Sequence, residues 1–185
     1  MLFLAASLLP LSLDAQSVFL EAEGFAELGG WTNDNQSMTR MGSPYLIAHG
    51  MGRPVADATT SFNAPSEGTY RLWVRTRDWT RTWGRTESPG RFQVIVNGKT
   101  IGTVFGTESE EWAWQDGGPV ELSKGENKIA LHDLTGFEGR CDAIYLTKDM
   151  AAPAPDPDAA FRRKALGVKK PLKAGEYDFV VVGGG

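Results

Sequence analysis

Residues 91–98 read RFQVIVNG, and this stretch restricts the fold more than any other. Phe92, Val94 and Val96 recur at every second position and then meet Asn97-Gly98. A helix cannot line up residues two apart on one face, whereas a strand does so by its pleat. Asn-Gly accepts the positive backbone φ that a two-residue hairpin turn demands, so the chain is expected to double back there. KTIGTVFG (residues 99–106) returns from that turn. The same period runs through TYRLWVRTR (69–77), where Tyr70, Leu72 and Val74 alternate with Arg71, Trp73 and Arg75. GPVELSKGENKIALHDL (118–134) reads as strand, turn and strand joined through residues 123–127. VFLEAE (18–23) and CDAIYLTK (141–148) supply a first and a last strand. No stretch carries an apolar i, i+3, i+4, i+7 stripe. The expectation is an all-β protein, an antiparallel β-sandwich of jelly-roll type.

A chain of 185 residues holds one domain of about 100–150 residues with appendages. Its net charge of −4 argues against a nucleic-acid partner, which calls for a basic face. Cys141 is the single cysteine, so neither an internal disulfide nor a cysteine-based metal site can form. Residues 1–15 (MLFLAASLLPLSLDA) are apolar, too short to span a bilayer, and end in a small residue before Gln16. They read as a secretory signal, which implies a secreted or periplasmic protein with no membrane span in the mature chain. No Lys or Arg precedes Arg40, so the alternatives are a start further upstream or a buried N-terminal element. The sandwich is expected over 16–150. Residues 151–176 follow as a linker, proline-rich in AAPAPDPD and then basic, with one or two helical turns and a solvated surface.

Three features in order resemble the family 6 and family 35 carbohydrate-binding modules, galactose-binding-like β-sandwiches appended to secreted enzymes. They are Glu21-Ala22-Glu23 on the first strand, the core strand GTYRLWVRTR, and GRCDAIYLT with Asp142 on the last strand. The resemblance covers residues 17–148. It implies a structural calcium ion between the first and last strands, with Glu21, Glu23 and Asp142 as carboxylate ligands. Calcium takes six to eight hard oxygens, and Glu21 and Glu23, two apart, would project from one strand face. The alternatives are solvated carboxylates, or a carboxylate paired with an arginine.

Sugar binding in such modules comes from aromatic faces stacked on pyranose rings, with polar side chains reading the hydroxyls. The candidates are Trp31, Trp79, Trp83, Trp112 and Trp114, all in stretches that read as loops or strand ends. RDWTRTWGR (77–85) alternates two of them with Arg77, Arg81 and Arg85, whose forked donors suit hydroxyls or a uronate. The other reading is that some tryptophans cap the core or dock against a neighbouring domain.

RDWT, PGRF and WAWQDGG also resemble modules that precede flavin-dependent oxidoreductases of secreted bacterial proteins. The end of the chain bears on that likeness. Residues 177–185 (YDFVVVGGG) read as the first strand of a dinucleotide-binding fold, in which Gly183 makes the tight turn and Gly185 lets the backbone approach a pyrophosphate. FAD would then belong to a longer parent enzyme, of which this chain is expected to be the N-terminal piece. Catalysis by the chain itself is not expected. It lacks G-x-S-x-G, and its two histidines, His49 and His132, have no metal-ligand company at useful spacing. Two functions remain open: a carbohydrate-binding accessory domain, and a domain that docks on the flavoenzyme and binds no glycan.

Overall fold

The structure, a computed structural model, describes residues 16–84, 87–151, 158–167, 175–176 and 178–179. The signal-like segment and both Gly183 and Gly185 lie outside the described residues.

The period-2 stretches form strands as expected. Ten strands are present among the described residues: β1 (Ser17–Glu21), β2 (Trp31–Asp34), β3 (Tyr45–Ala48), β4 (Ala58–Ala64), β5 (Gly68–Thr76), β6 (Phe92–Val96), β7 (Lys99–Thr100), β8 (Ala113–Leu122), β9 (Gly125–Asp133) and β10 (Gly139–Thr147). Two short α-helices accompany them, α1 (Met38–Met41) and α2 (Ala159–Ala165), with 3-10 turns at Ala22–Gly24 and Arg81–Trp83. One sheet runs β2-β3-β10-β5-β8, with β1 pairing β10 beyond the end of β3. The other runs β4-β9-β6-β7. Every strand pair is antiparallel, so the chain is the expected β-sandwich.

The alternating residues face inward. Tyr70, Leu72 and Val74 of β5 and Phe92 and Val94 of β6 are fully buried, and meet Leu131, Ile144 and Leu146 in one core. Each such side chain contributes about 1.5–3 kcal/mol on leaving water. Asn97 and Gly98 have φ of 50° and 80°, the paired left-handed conformation of the hairpin turn. The return strand is short, only Lys99–Thr100. The 118–134 stretch is no hairpin. β8 lies in the first sheet and β9 in the second, so its turn is a corner of the sandwich. Asn127 closes that corner by accepting from the Ser123 amide and donating to the Ser123 and Gly125 carbonyls.

The crossings between sheets decide where long loops go. Residues 49–57, 77–91, 101–112 and 134–138 all connect one sheet to the other. The pairings Gly139↔Ala48, Cys141↔Thr76, Thr76↔Ala113 and Phe92↔Asp133 bring those four connections to the same end of the sandwich. Toward the opposite end the crossings from β4 to β5 and from β8 to β9 are tight, over residues 65–67 and 123–124, and β6 turns into β7 at Asn97-Gly98. Among the described residues no helix is long and apolar enough to cross a membrane.

Candidate functional site

Two places in this frame collect the residues singled out in the sequence. The first is the long-loop end. Asp133, the last residue of β9 and 1% exposed, organises it. Its Oδ2 accepts from the amides of Val55 and Gly136, at 2.9 and 2.8 Å, and its Oδ1 accepts from Thr135 at 3.1 Å. The backbones of 50–53 and 134–138 then lie in contact. Gly50 and Gly52 both donate to the Gly136 carbonyl. A Cβ on Gly136 would sit 1.8 Å from the Arg53 oxygen, so only glycine fits there.

On this base stands an aromatic surface. Trp79 meets Trp83 edge-on at 5.3 Å, and its ring lies parallel to Phe137 with centroids 6.1 Å apart. Trp83 is 69% exposed, Phe137 45% and Met51 88%, which places large apolar groups in water side by side. The Arg140 guanidinium sits 5.0 Å from the Trp79 ring centroid and is held by Glu138, which also faces His49 at 3.3 Å. Phe137, Met51, His49 and Glu138 border a cleft of about 300 Å³. A second cleft of about 400 Å³ shares His49 and Glu138 and adds Asn33, Asp34, Gln36 and Arg140.

The backbone is strained at the same place. Met51 and Glu138 have φ of 52° and 63°, a region that costs a side chain without a turn-forming polar group. Besides Asn97 in its hairpin turn, they are the non-glycine residues with positive φ among the described residues. Such outliers persist where the surroundings over-determine them, as at binding surfaces.

The sequence candidates divide among several environments. Trp79 and Trp83 belong to the aromatic surface. Arg81 is exposed beside it and donates to the Thr107 carbonyl. Arg77 is half-buried, and burial lowers its pKa, with the Arg140 charge adding to the effect. Trp112 packs edge-on against Tyr45 at 4.7 Å. Trp114 lies on β8 among Phe19, Tyr145 and Phe161, on the outer face of the first sheet. Trp31 requires a correction. It is 2% exposed and packs edge-on against Phe92 at 5.5 Å, so it is a core residue with no face for a ligand. Phe137, Met51, Glu138 and Arg140 were not singled out, and His49 was weighed only as a metal ligand or catalytic group. Their sequence signal is the glycines of HGMGR and LTGFEGR, which let two loops approach closely.

The second place is a carboxylate cluster on the outer face of the first sheet. Asp142 sits at the bulge of β10 and is fully buried. Its Oδ2 accepts from Arg75 at 2.9 Å and from Arg162 at 2.8 Å. Arg162 also donates to Glu21 and, at 3.0 Å, to the Ser43 hydroxyl. Burial raises the Asp142 and Glu21 carboxyls, an effect the arginines oppose without cancelling. Burial works against the charge on Arg162, but the carboxylates outweigh it and its pKa is raised. Glu23 does not share a strand face with Glu21, because β1 ends at Glu21 and Ala22–Gly24 turn as a 3-10 helix.

The carboxylates that the resemblance assigns to calcium therefore do not fit that ion here. Glu21 and Asp142 are engaged by guanidinium groups, and among the described residues no group of three or more His, Cys, Asp or Glu is placed to hold a metal. The basic segment expected to be solvated supplies one of these partners, since Arg162 is 6% exposed.

Burial, then its carboxylate neighbours, raise Glu23 from 4.5 to about 7, and its Oε2 has no hydrogen-bond partner among the described residues. The folded state thus holds a proton that the unfolded chain has released between these two values. Stability is expected to fall as pH rises from about 5 to about 7 and then to level off. Glu23→Gln should remove that slope and melt above the parent at pH 8, by about 1 kcal/mol after allowance for partial exposure. Urea denaturation at pH 5 and pH 8 checks it; equal slopes in both proteins would contradict it.

No protein-family model and no curated protein sequence matches the chain significantly. Solved structures do. A Podospora anserina β-(1,4)-mannanase with a family 35 carbohydrate-binding module is similar over 76% of the chain, at 24% identity and a TM-score of 0.57; the chain spans 29% of its length. A family 35 carbohydrate-binding module from Clostridium thermocellum is similar over 70% of the chain and 96% of its own length, at 22% identity and a TM-score of 0.55. The C-terminal family 6 module of a marine laminarinase from Zobellia galactanivorans is similar over 71% of the chain and 99% of its own length, at 18% identity and a TM-score of 0.53. The likeness is one of fold.

Proposed function

We propose that the chain is a non-catalytic carbohydrate-binding accessory module that takes its glycan on the surface formed by Trp79, Trp83 and Phe137. The observation that carries this reading is the exposure of Trp83 and Phe137 around Trp79, beside a cleft with polar walls. A pyranose ring offers an apolar face to an aromatic ring, while its hydroxyls need donors and acceptors at the rim. Arg140, His49 and Glu138 supply both kinds. The fold of the carbohydrate-binding modules among the solved structures supports the reading.

Titration of the chain with a panel of oligosaccharides, followed by tryptophan fluorescence, tests it. One glycan class should quench the emission, and Trp79→Ala and Trp83→Ala should each weaken binding about tenfold or more. Trp114→Ala should bind as the parent does. A panel without response would favour the docking reading, in which the same apolar groups meet a neighbouring domain.

The attachment to a secreted FAD-dependent oxidoreductase is part of the proposal and rests on the sequence of residues 177–185 and on the resemblance of RDWT, PGRF and WAWQDGG. FAD would be bound by that parent, with Gly183 at the tight turn and Gly185 beside the pyrophosphate.

A further inference from the structure

The carboxylate cluster is completed by a residue that arrives from outside the sandwich. We infer that Arg162 is the built-in cation of this cluster and that it fixes α2 to the outer face of the first sheet, so that residues 158–167 are a docked arm rather than part of a free spacer. The inference is independent of the glycan reading.

Geometry comes first. The Arg162 guanidinium bridges Glu21 on β1 and Asp142 on β10, and touches Ser43. Its two terminal nitrogens go to two different carboxylates, a division that the fixed fork of a guanidinium sets in advance. Charge comes second. Beyond burial, the Asp142 charge raises the Glu21 carboxyl and both raise that of Glu23, and besides Arg162 the described residues place Arg75 against this cluster. Buried carboxylates with too few cations are strongly unfavourable.

Apolar packing is the third support. Phe161 meets Phe19 edge-on at 5.1 Å and Tyr145 at 6.0 Å, and Ala165 joins the same cluster. Arg163 and Lys164, on the other side of the helix, are exposed. A seven-residue helix is not stable alone in water, so α2 owes its order to this face. The Asp158 side chain starts it by accepting from the Phe161 amide at 2.7 Å.

Thermal melting of the purified chain, in chelator and in millimolar calcium, is the test. The parent should melt at one temperature in both. Arg162→Ala should melt about 10 °C lower in chelator, and calcium should restore part of the loss, because the freed carboxylates then take an external cation. A parent that gains stability with calcium, or an Arg162→Ala protein that melts like the parent, would overturn the inference. Phe161→Ala, which leaves every charge in place, gives a second measurement. Amide hydrogen exchange over residues 158–167 should be slow in the parent and at least tenfold faster in Phe161→Ala, with β5 and β10 unchanged in both. Exchange at unstructured rates in the parent would refute a docked arm.

Discussion

Trp31→Ala is expected to lose about 3–5 kcal/mol of folding free energy, the cost of emptying a large aromatic site in a packed core. The ring is 2% exposed, lies among the apolar residues between the sheets, and meets Phe92 edge-on. Few neighbours can collapse into the space, because β2 is already held by its pairing from Trp31↔Ala48 to Asp34↔Tyr45. Trp31→Phe should behave differently. It keeps the edge-on contact and removes an indole N–H that is buried without an acceptor among the described residues. Leaving such a donor unmade costs about 1–3 kcal/mol, so the smaller ring should lose little or nothing net. Guanidinium denaturation of both variants checks the pair. Glycan affinity per folded molecule should be unchanged in each, and a selective loss of affinity in Trp31→Phe would return Trp31 to the ligand surface.

The contrast between Trp31 and Trp83 shows how far the sequence could be read. β5, β6 and β9 were legible because their inward residues recur with period 2, and Asn97-Gly98 named its own turn; β10, buried on both faces, was read from a longer run of strand-forming residues. β3 was not. All four residues of YLIA are buried, so it carries no alternation to distinguish it from any short apolar run. β4 does alternate, but Ala58, Phe62 and Ala64 are buried with only one large side chain among them. Aromatic content pointed to a set of tryptophans without separating them. Their fates depend on which residues pair across the sandwich, and that information is not local. The carboxylates were found by their order along the chain. Arg162 was missed because its partners are 141 and 20 residues away. The basic run around it reads as solvated until the outer face of the sheet is known.

Asp133→Ala should cost about 3 kcal/mol or more and should abolish glycan binding, although Asp133 is buried beneath the surface it supports. Three backbone amides, of Val55, Thr135 and Gly136, depend on one carboxylate. Bonds of this charge-assisted kind contribute about 1.5–3 kcal/mol each, and all three donors would be left without acceptors beneath the loops. The aromatic surface depends on those same loops. Phe137 follows Gly136 directly, and Glu138 orients the Arg140 guanidinium over Trp79. Asp133→Asn separates charge from geometry. Its amide oxygen can serve Val55 and Gly136 from the Oδ2 position, but its NH2 then opposes the Thr135 amide, donor against donor. The expected order of stability is parent, Asn, Ala, with binding weakened in Asn and lost in Ala. Denaturation curves and the fluorescence titration, run at a temperature where all three are folded, measure both quantities on the same samples. Full affinity in folded Asp133→Ala would show that the 50–53 and 134–138 loops hold their shape unaided, and would place the ligand elsewhere than on Trp79, Trp83 and Phe137.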